Sequence, residues 1–297
     1  MKMIAKNKIT TKNQQQSQSP LVSVVITTKN EETNIENCLK SIKQQSYKNI
    51  EIIVVDNNST DKTKDIAKRY TKLVFNLQDE ISLKNIKNFR GAQLNFGVKK
   101  SKGEIIFFPD ADMTFDKELI KDCVDKLNEV DALFIPEAVC GKGFFGKVRN
   151  FERSFYNENC IDGVRVIKKN CFMKVGGYDI KNIVFGFDDW DFTKTLKKNN
   201  MKIEISEKKL YHHEELLNLK VYLEKKKKYV ADSDSYINKW GREDPDIKKQ
   251  FGFYYRFFGV FIENKKWVKL LTHPILTLGM YYLRIKVGVG FLTRRRR

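Results

Sequence analysis

Residues 50–61 read IEIIVVDNNSTD. A run dominated by Ile and Val, with little polar alternation, is a strand buried on both faces. It ends in Asp56-Asn57-Asn58-Ser59-Thr60-Asp61, a turn-forming cluster rich in side-chain oxygens. Working outward, the pattern recurs. VSVVI at 22–26 leads into Thr27-Thr28-Lys29-Asn30-Glu31, and EIIFF at 104–108 leads through Pro109 into Asp110-Ala111-Asp112. LVF at 73–75 and ALFI at 132–135 read as further strands. Helical spacing fills the gaps at 31–45 (Ile35, Cys38, Leu39, Ile42), from 61 (Ile66, Ala67, Tyr70), at 89–100, and at 116–128 (Leu119, Ile120, Cys123, Val124, Leu127). Strands alternating with helices predict an α/β fold, a mostly parallel sheet with helices on both faces, over the first 135 residues. Ligands of such sheets bind beyond the carboxyl ends of the strands, where the three oxygen-rich clusters lie.

The 297 residues, 41% of them hydrophobic, suffice for one large domain or a domain with an appendage. The net charge of +19 is unevenly spread. Residues 1–19 carry four Lys and no acid, and residues 220–297 carry 19 Lys/Arg against 7 Asp/Glu, leaving only +3 for residues 20–219. The reading is therefore a basic leader (1–19), a near-neutral main domain (20–219) and a basic, aromatic-rich helical extension (220–297). The five cysteines are scattered without a CxxC pair and read as free thiols of a reducing compartment. The longest uncharged apolar stretch, Leu270–Leu283, has 14 residues, short of a bilayer span.

In an extended Asp-x-Asp the two carboxylates project to the same side. They repel unless a cation lies between them, and hard oxygen ligands at an open site suit Mg²⁺ or Mn²⁺ shared with a diphosphate. Gly141-Lys142-Gly143-Phe144-Phe145-Gly146 also spells the dinucleotide fingerprint GxGxxG before an expected helix at 147–158. Too many residues separate it from the preceding strand, and two Phe crowd the turn. A flexible aromatic loop at the acceptor side is the expectation instead.

PLVSVVITTKNEETNIENCLKSI, IEIIVVDNNSTDKT, GEIIFFPDADM, VGGYD at 175–179 and FGFDDWDF at 185–192 together resemble the family 2 glycosyltransferases of the GT-A fold. The resemblance covers about residues 20–215. It implies an inverting, metal-dependent transfer of a sugar from a nucleotide-diphosphate sugar, with UDP favoured. By position it makes Asp56 the reader of the nucleobase, Thr27 and Glu31 the nucleotide-contacting turn, and Asp110 and Asp112 the metal and diphosphate motif. Arg90 resembles the basic residue that closes on the nucleotide. Asp189 matches the catalytic base, with Asp188 where the family usually has Glu, which leaves open which of the two faces the acceptor. In KKLYHHEELLNL one His becomes the third metal ligand, His212 fitting better than His213. The cofactor implied is Mn²⁺ or Mg²⁺.

From 251 onward, apolar runs are broken by Lys, Arg, Gly and Pro274, with Trp267, Tyr281 and Tyr282 among them. The basic clusters are Lys225–Lys228, Lys265-Lys266 and Arg294–Arg297. Short apolar helices with cations predict a protein lying on an anionic membrane at its cytoplasmic face, not crossing it. No recognised module frames this charge for nucleic acid. A lipid-linked or glycan acceptor follows. Two alternatives stay open: a polyprenyl-phosphate monosaccharide synthase, and a scaffold that binds nucleotide sugars without catalysis.

Overall fold

The computed structural model describes residues 19–214, 219–231 and 233–294. The leader up to residue 18 and Arg295–Arg297 lie outside the described residues. Among the described residues ten strands run in the order β1 (Val22–Thr28), β2 (Ile50–Asp56), β3 (Val74–Asn76), β4 (Ile105–Phe107), β5 (Met113–Phe115), β6 (Ala132–Phe134), β7 (Glu137–Val139), β8 (Val164–Lys168), β9 (Ile203–Ile205) and β10 (Leu210–His212). They build a seven-stranded sheet, β3-β2-β1-β4-β8-β6-β9, and a three-stranded one, β5-β10-β7. In the large sheet β8 runs antiparallel to β4 and β6, and the other pairs are parallel. The mostly parallel α/β expectation holds, but the sheet does not close within the first 135 residues. β8 inserts between β4 and β6, and β9 pairs with β6. VRVIK at 164–168 alternates apolar and basic residues, so a reading built on continuous apolar runs passes over it.

Alternation along the central strands sorts the core into two layers. Val24, Ile26, Ile52 and Val54 face Ile35, Leu39, Ile42, Leu119 and Ile120 from helices Ile35–Lys43 and Leu119–Lys126. Val25, Ile53 and Val55 face Ala92, Leu94, Phe96 and Val98 of helix Phe89–Lys100 and Phe192 and Leu196 of helix Asp188–Lys198. Helix Phe89–Lys100 is capped by Asn88, whose side chain accepts from the Gly91 N–H. Gly97 lets this helix sit on the sheet, because a Cβ there would come 2.3 Å from Val25 Cγ1.

The GxGxxG stretch is not a loop. Helix Gly143–Arg153 begins inside it, four residues earlier than expected. Phe145 stacks on Tyr282, and Phe144 and Val148 close on Gly279. Two aromatic residues on one helix face need an apolar partner, and the C-terminal helix Pro274–Arg294 supplies it. A third core joins Val148, Phe151 and Phe155 to Tyr255, Val260, Phe261, Met280 and Leu283. A fourth joins Phe187 and Trp190 to Tyr236, Ile247 and Phe251. The extension is thus packed onto the body.

Candidate active site

Strand register brings the three oxygen-rich clusters together. Thr28 pairs with Asp56 across β1 and β2, and the backbone of Thr27 bridges to Asp110. Asp56 is fully buried: its carboxylate accepts from Thr28 Oγ1 at 2.8 Å and from Ser59 N–H at 2.7 Å, organising the turn after β2. Glu31 leans toward Asp110 and Asp112. Burial first, then the charge of those two aspartates, pushes its carboxyl above the ordinary range, although Asn34 donates to it.

Arg90, buried near the start of its helix, ties this cluster to the 185–192 motif. Its Nε donates to Asp110 Oδ1 at 3.2 Å, and its Nη1 donates to Asp188 Oδ2 at 2.9 Å and Asp189 Oδ1 at 3.0 Å. Arg165 of β8 donates to Asp110 Oδ2 at 2.9 Å. Burial opposes a charge on Asp110, but Arg90, Arg165 and His212 outweigh it and hold the carboxyl well below the carboxylate range. The two adjacent aspartates differ. Asp188 is 3% exposed and accepts from the Gly186 N–H, whereas Asp189 is 28% exposed and also accepts from Tyr178 Oη at 3.3 Å. Burial accordingly raises the Asp188 pKa against the pull of Arg90. Gly163 makes room, since a Cβ there would lie 2.9 Å from Asp189 Cβ.

β10 places His212 beside Met113 on one side and Val139 on the other. Its Nε2 lies 2.9 Å from Asp112 Oδ2 and its Nδ1 3.0 Å from Glu137 Oε1. Burial disfavours an imidazolium there, but hydrogen bonds to the two carboxylates prevail and raise the pKa to about 10. His213 points outward to Thr114 Oγ1, so the pair of histidines is separated by strand alternation. Asp112 Oδ1 is buried without a partner. The His212 nitrogen and the Asp112 carboxylate, one of whose oxygens is buried without a partner, fit Mn²⁺ or Mg²⁺ as two ligands. Among the described residues no three His, Cys, Asp or Glu side chains are arranged to hold a metal by themselves. Both oxygens of Asp110 accept from arginines, whereas Asp112 Oδ2 faces His212. The remaining positions around a cation there suit phosphate oxygens.

Sequence reasoning missed Glu137, Arg165 and Tyr178. Glu137 follows the strand at 132–135, so looking beyond the carboxyl end of that strand too would have found it. Arg165 had a weaker signal, a charge within an otherwise apolar strand.

The family described as Glycosyl transferase family 2 matches residues 23–180, more than half of the chain. Glycosyltransferase AglE of Haloferax volcanii is 39% identical over 95 residues, 31% of this chain and 31% of that protein. The GalNAc(5)-diNAcBac-PP-undecaprenol beta-1,3-glucosyltransferase of Campylobacter jejuni is 26% identical over 212 residues, 69% of this chain and 61% of that one. Alignments with the first three curated relatives cover only 27–35% of their lengths. Among solved structures, the mannosyltransferase PcManGT from Pyrobaculum calidifontis, in complex with GDP-Man and Mn²⁺, superposes with a TM-score of 0.59 at 18% identity, covering 93% of this chain and 88% of that one. S. aureus TarS 1-349 gives 0.52 at 17%, covering 91% and 89%. Fold, motif order and family match agree: the chain belongs to glycosyl transferase family 2 and has a GT-A-like fold.

Proposed function

We propose that this protein is an inverting glycosyltransferase that moves a sugar from a nucleotide-diphosphate sugar to a lipid-linked or glycan acceptor in glycan synthesis. The observation that carries the reading is Arg90, which joins Asp110 of the Asp-x-Asp turn to Asp188 and Asp189 in one partly buried cluster. Donor and acceptor machinery thereby share one cleft at the strand ends. Asp112 and His212 would hold Mn²⁺ or Mg²⁺, which when bound offsets charge on the departing diphosphate. Thr27, Glu31 and Asp56 frame the nucleotide end. Arg90 and Arg165 keep Asp110 ionised and fixed beside the donor. Asp189, the more exposed carboxylate, takes the proton from the acceptor hydroxyl as its oxygen attacks the anomeric carbon, and Tyr178 and Arg90 hold that carboxylate in place. Attack from the face opposite the leaving group inverts the centre. A UDP sugar is our first choice of donor.

We further assign residues 20–219 to catalysis and 220–297 to a membrane-interfacial extension at the cytoplasmic face. The name of the Campylobacter jejuni relative, which carries undecaprenol, supports a lipid-linked acceptor. An apolar ridge supports the interface: Leu271, Ile275 and Leu278 are 70–72% exposed. Among the described residues no helix is long and apolar enough to cross a membrane.

A thermal-shift panel of UDP and GDP sugars, with and without Mn²⁺, tests the reading, since a true donor stabilises as the logarithm of its concentration over its dissociation constant. Selective, Mn²⁺-dependent stabilisation followed by release of nucleoside diphosphate is expected. Stabilisation without any turnover of the donor would favour a binding scaffold.

A further inference from the structure

Glu137 lies outside the motifs that carry the family resemblance, and its carboxylate bridges His212 and Arg153. Strand β7 pairs in parallel with β10, Leu210 opposite Glu137, so Glu137 and His212 fall on the same face one step apart. The Val139 N–H donates to Asn150 Oδ1, tying β7 to the helix behind it. Glu137 is 8% exposed. Its Oε1 is 3.0 Å from His212 Nδ1, while its Oε2 is 3.2 Å from Arg153 Nη2 and 4.0 Å from Arg165 Nη2. Both arginines have shorter ion pairs elsewhere, Arg153 with Asp162 and Arg165 with Asp110, each at 2.9 Å. The two oxygens of Glu137 thus divide their work, Oε2 pairing with Arg153 and Oε1 with the imidazole, which is its closest contact.

We infer that Glu137 is a positioning residue for the metal centre: it accepts the Nδ1–H of His212 and so fixes the ring with Nε2 directed at the cation shared with Asp112. The inference rests on the metal reading of Asp112 and His212 given above. A ring nitrogen that donates to a carboxylate settles which nitrogen is left to ligate, and it makes that nitrogen a stronger donor. The ring aims Nε2 at Asp112 Oδ2, and the other oxygen of that carboxylate, Oδ1, is buried without a partner.

The test measures Mn²⁺ affinity of the full-length protein saturated with UDP, by the electron paramagnetic resonance signal of free Mn²⁺. Glu137→Ala should weaken Mn²⁺ about 10–100-fold, the usual effect of losing such a carboxylate. Glu137→Gln, whose amide oxygen still accepts from Nδ1–H, should recover part of the loss. UDP affinity in EDTA should be unchanged in both. A folded Glu137→Ala protein with wild-type Mn²⁺ affinity, alongside a His212→Ala protein that has lost it, overturns the positioning role. If His212→Ala also binds Mn²⁺ normally, the metal reading itself falls and takes the inference with it. Should Glu137→Ala not fold, the wild-type protein decides. In its UDP–Mg²⁺ complex, nitrogen-15 spectra of the His212 ring should show Nδ1 protonated and Nε2 ligating, and the opposite tautomer refutes the proposal.

Discussion

Asp188 and Asp189 are neighbours in sequence, yet the turn that starts helix Asp188–Lys198 sends them into different surroundings. Asp188 is buried and tied to Arg90 and to the Gly186 N–H, while Asp189 reaches the cleft beside Tyr178. Asp189→Asn is nearly isosteric and cannot accept a proton, so turnover should fall about 10²–10⁴-fold, the usual share of general-base catalysis. Donor affinity, read by titration, should barely move. Asp188→Asn should instead lower the melting temperature, because it weakens a buried charged hydrogen bond. Loss of turnover in a stably folded, donor-binding Asp188→Asn protein, with Asp189→Asn active, would reverse the assignment. The sequence already displayed Asp110 and Asp112 as a short polar cluster after an apolar strand, and Asp188, Asp189 and His212 through the resemblance to family 2. Glu137 and Arg165 stood there only as a charge after one apolar strand and a charge within another, with no role attached. Their roles come from β8 and β7 meeting β4 and β10 across long chain separations, which no local pattern encodes.

At the scale of elements, the main surprise is the C-terminal helix Pro274–Arg294. Its sequence shows an apolar character but not which side is covered. Met280, Leu283 and the Arg284 guanidinium turn inward, and Ile275, Leu278, Ile285 and Val289 are exposed. Arg284 is buried, pairs with Glu152 at 3.1 Å and donates to Tyr156 Oη at 2.6 Å. Breaking a buried ion pair by deleting one partner costs about 3–5 kcal/mol, and Arg149, also paired with Glu152 at 2.7 Å, should keep the loss near the lower end. Arg284→Ala should therefore shift the urea midpoint down while leaving donor hydrolysis intact below it. Cutting the chain before Phe251 is more severe. It strips Tyr255, Val260, Phe261, Met280 and Leu283 from the core under helix Gly143–Arg153, at roughly 1.5–3 kcal/mol for each large apolar side chain. The truncated chain should aggregate or melt far below the full-length protein. A cooperative, unshifted melt of the truncated chain would show that the catalytic body folds without the extension.

Across the whole molecule, charge and apolar exposure coincide. The body from 20 to 219 carries almost no excess charge, while 220–297 carries +12 and also holds the ridge of Leu271, Ile275 and Leu278. A patch of exposed apolar side chains on an otherwise well-packed protein marks a contact surface, and the basic charge of the same extension, Lys265, Lys269 and Lys286 included, makes an anionic surface its complement. Full-length protein should co-sediment with vesicles containing anionic lipid. Binding should weaken as salt rises, because exposed charges are screened beyond about 10 Å at 0.1 M. A salt-resistant remainder should persist, since apolar burial does not depend on screening. The informative variant alters the ridge without touching the core: Leu271→Glu, Ile275→Glu and Leu278→Glu together. All three side chains are exposed, so the melt and donor hydrolysis should stay as in the wild type while the salt-resistant binding disappears. If the triple variant still binds at high salt, the ridge is not the lipid-facing surface. If the wild type ignores anionic vesicles and instead forms a dimer that the triple variant dissociates, the stripe on helix Pro274–Arg294 is a protein interface. The reason for choosing a lipid-linked acceptor would then fall with the membrane, while the transferase assignment, which rests on the strand-end cluster around Arg90, would stand.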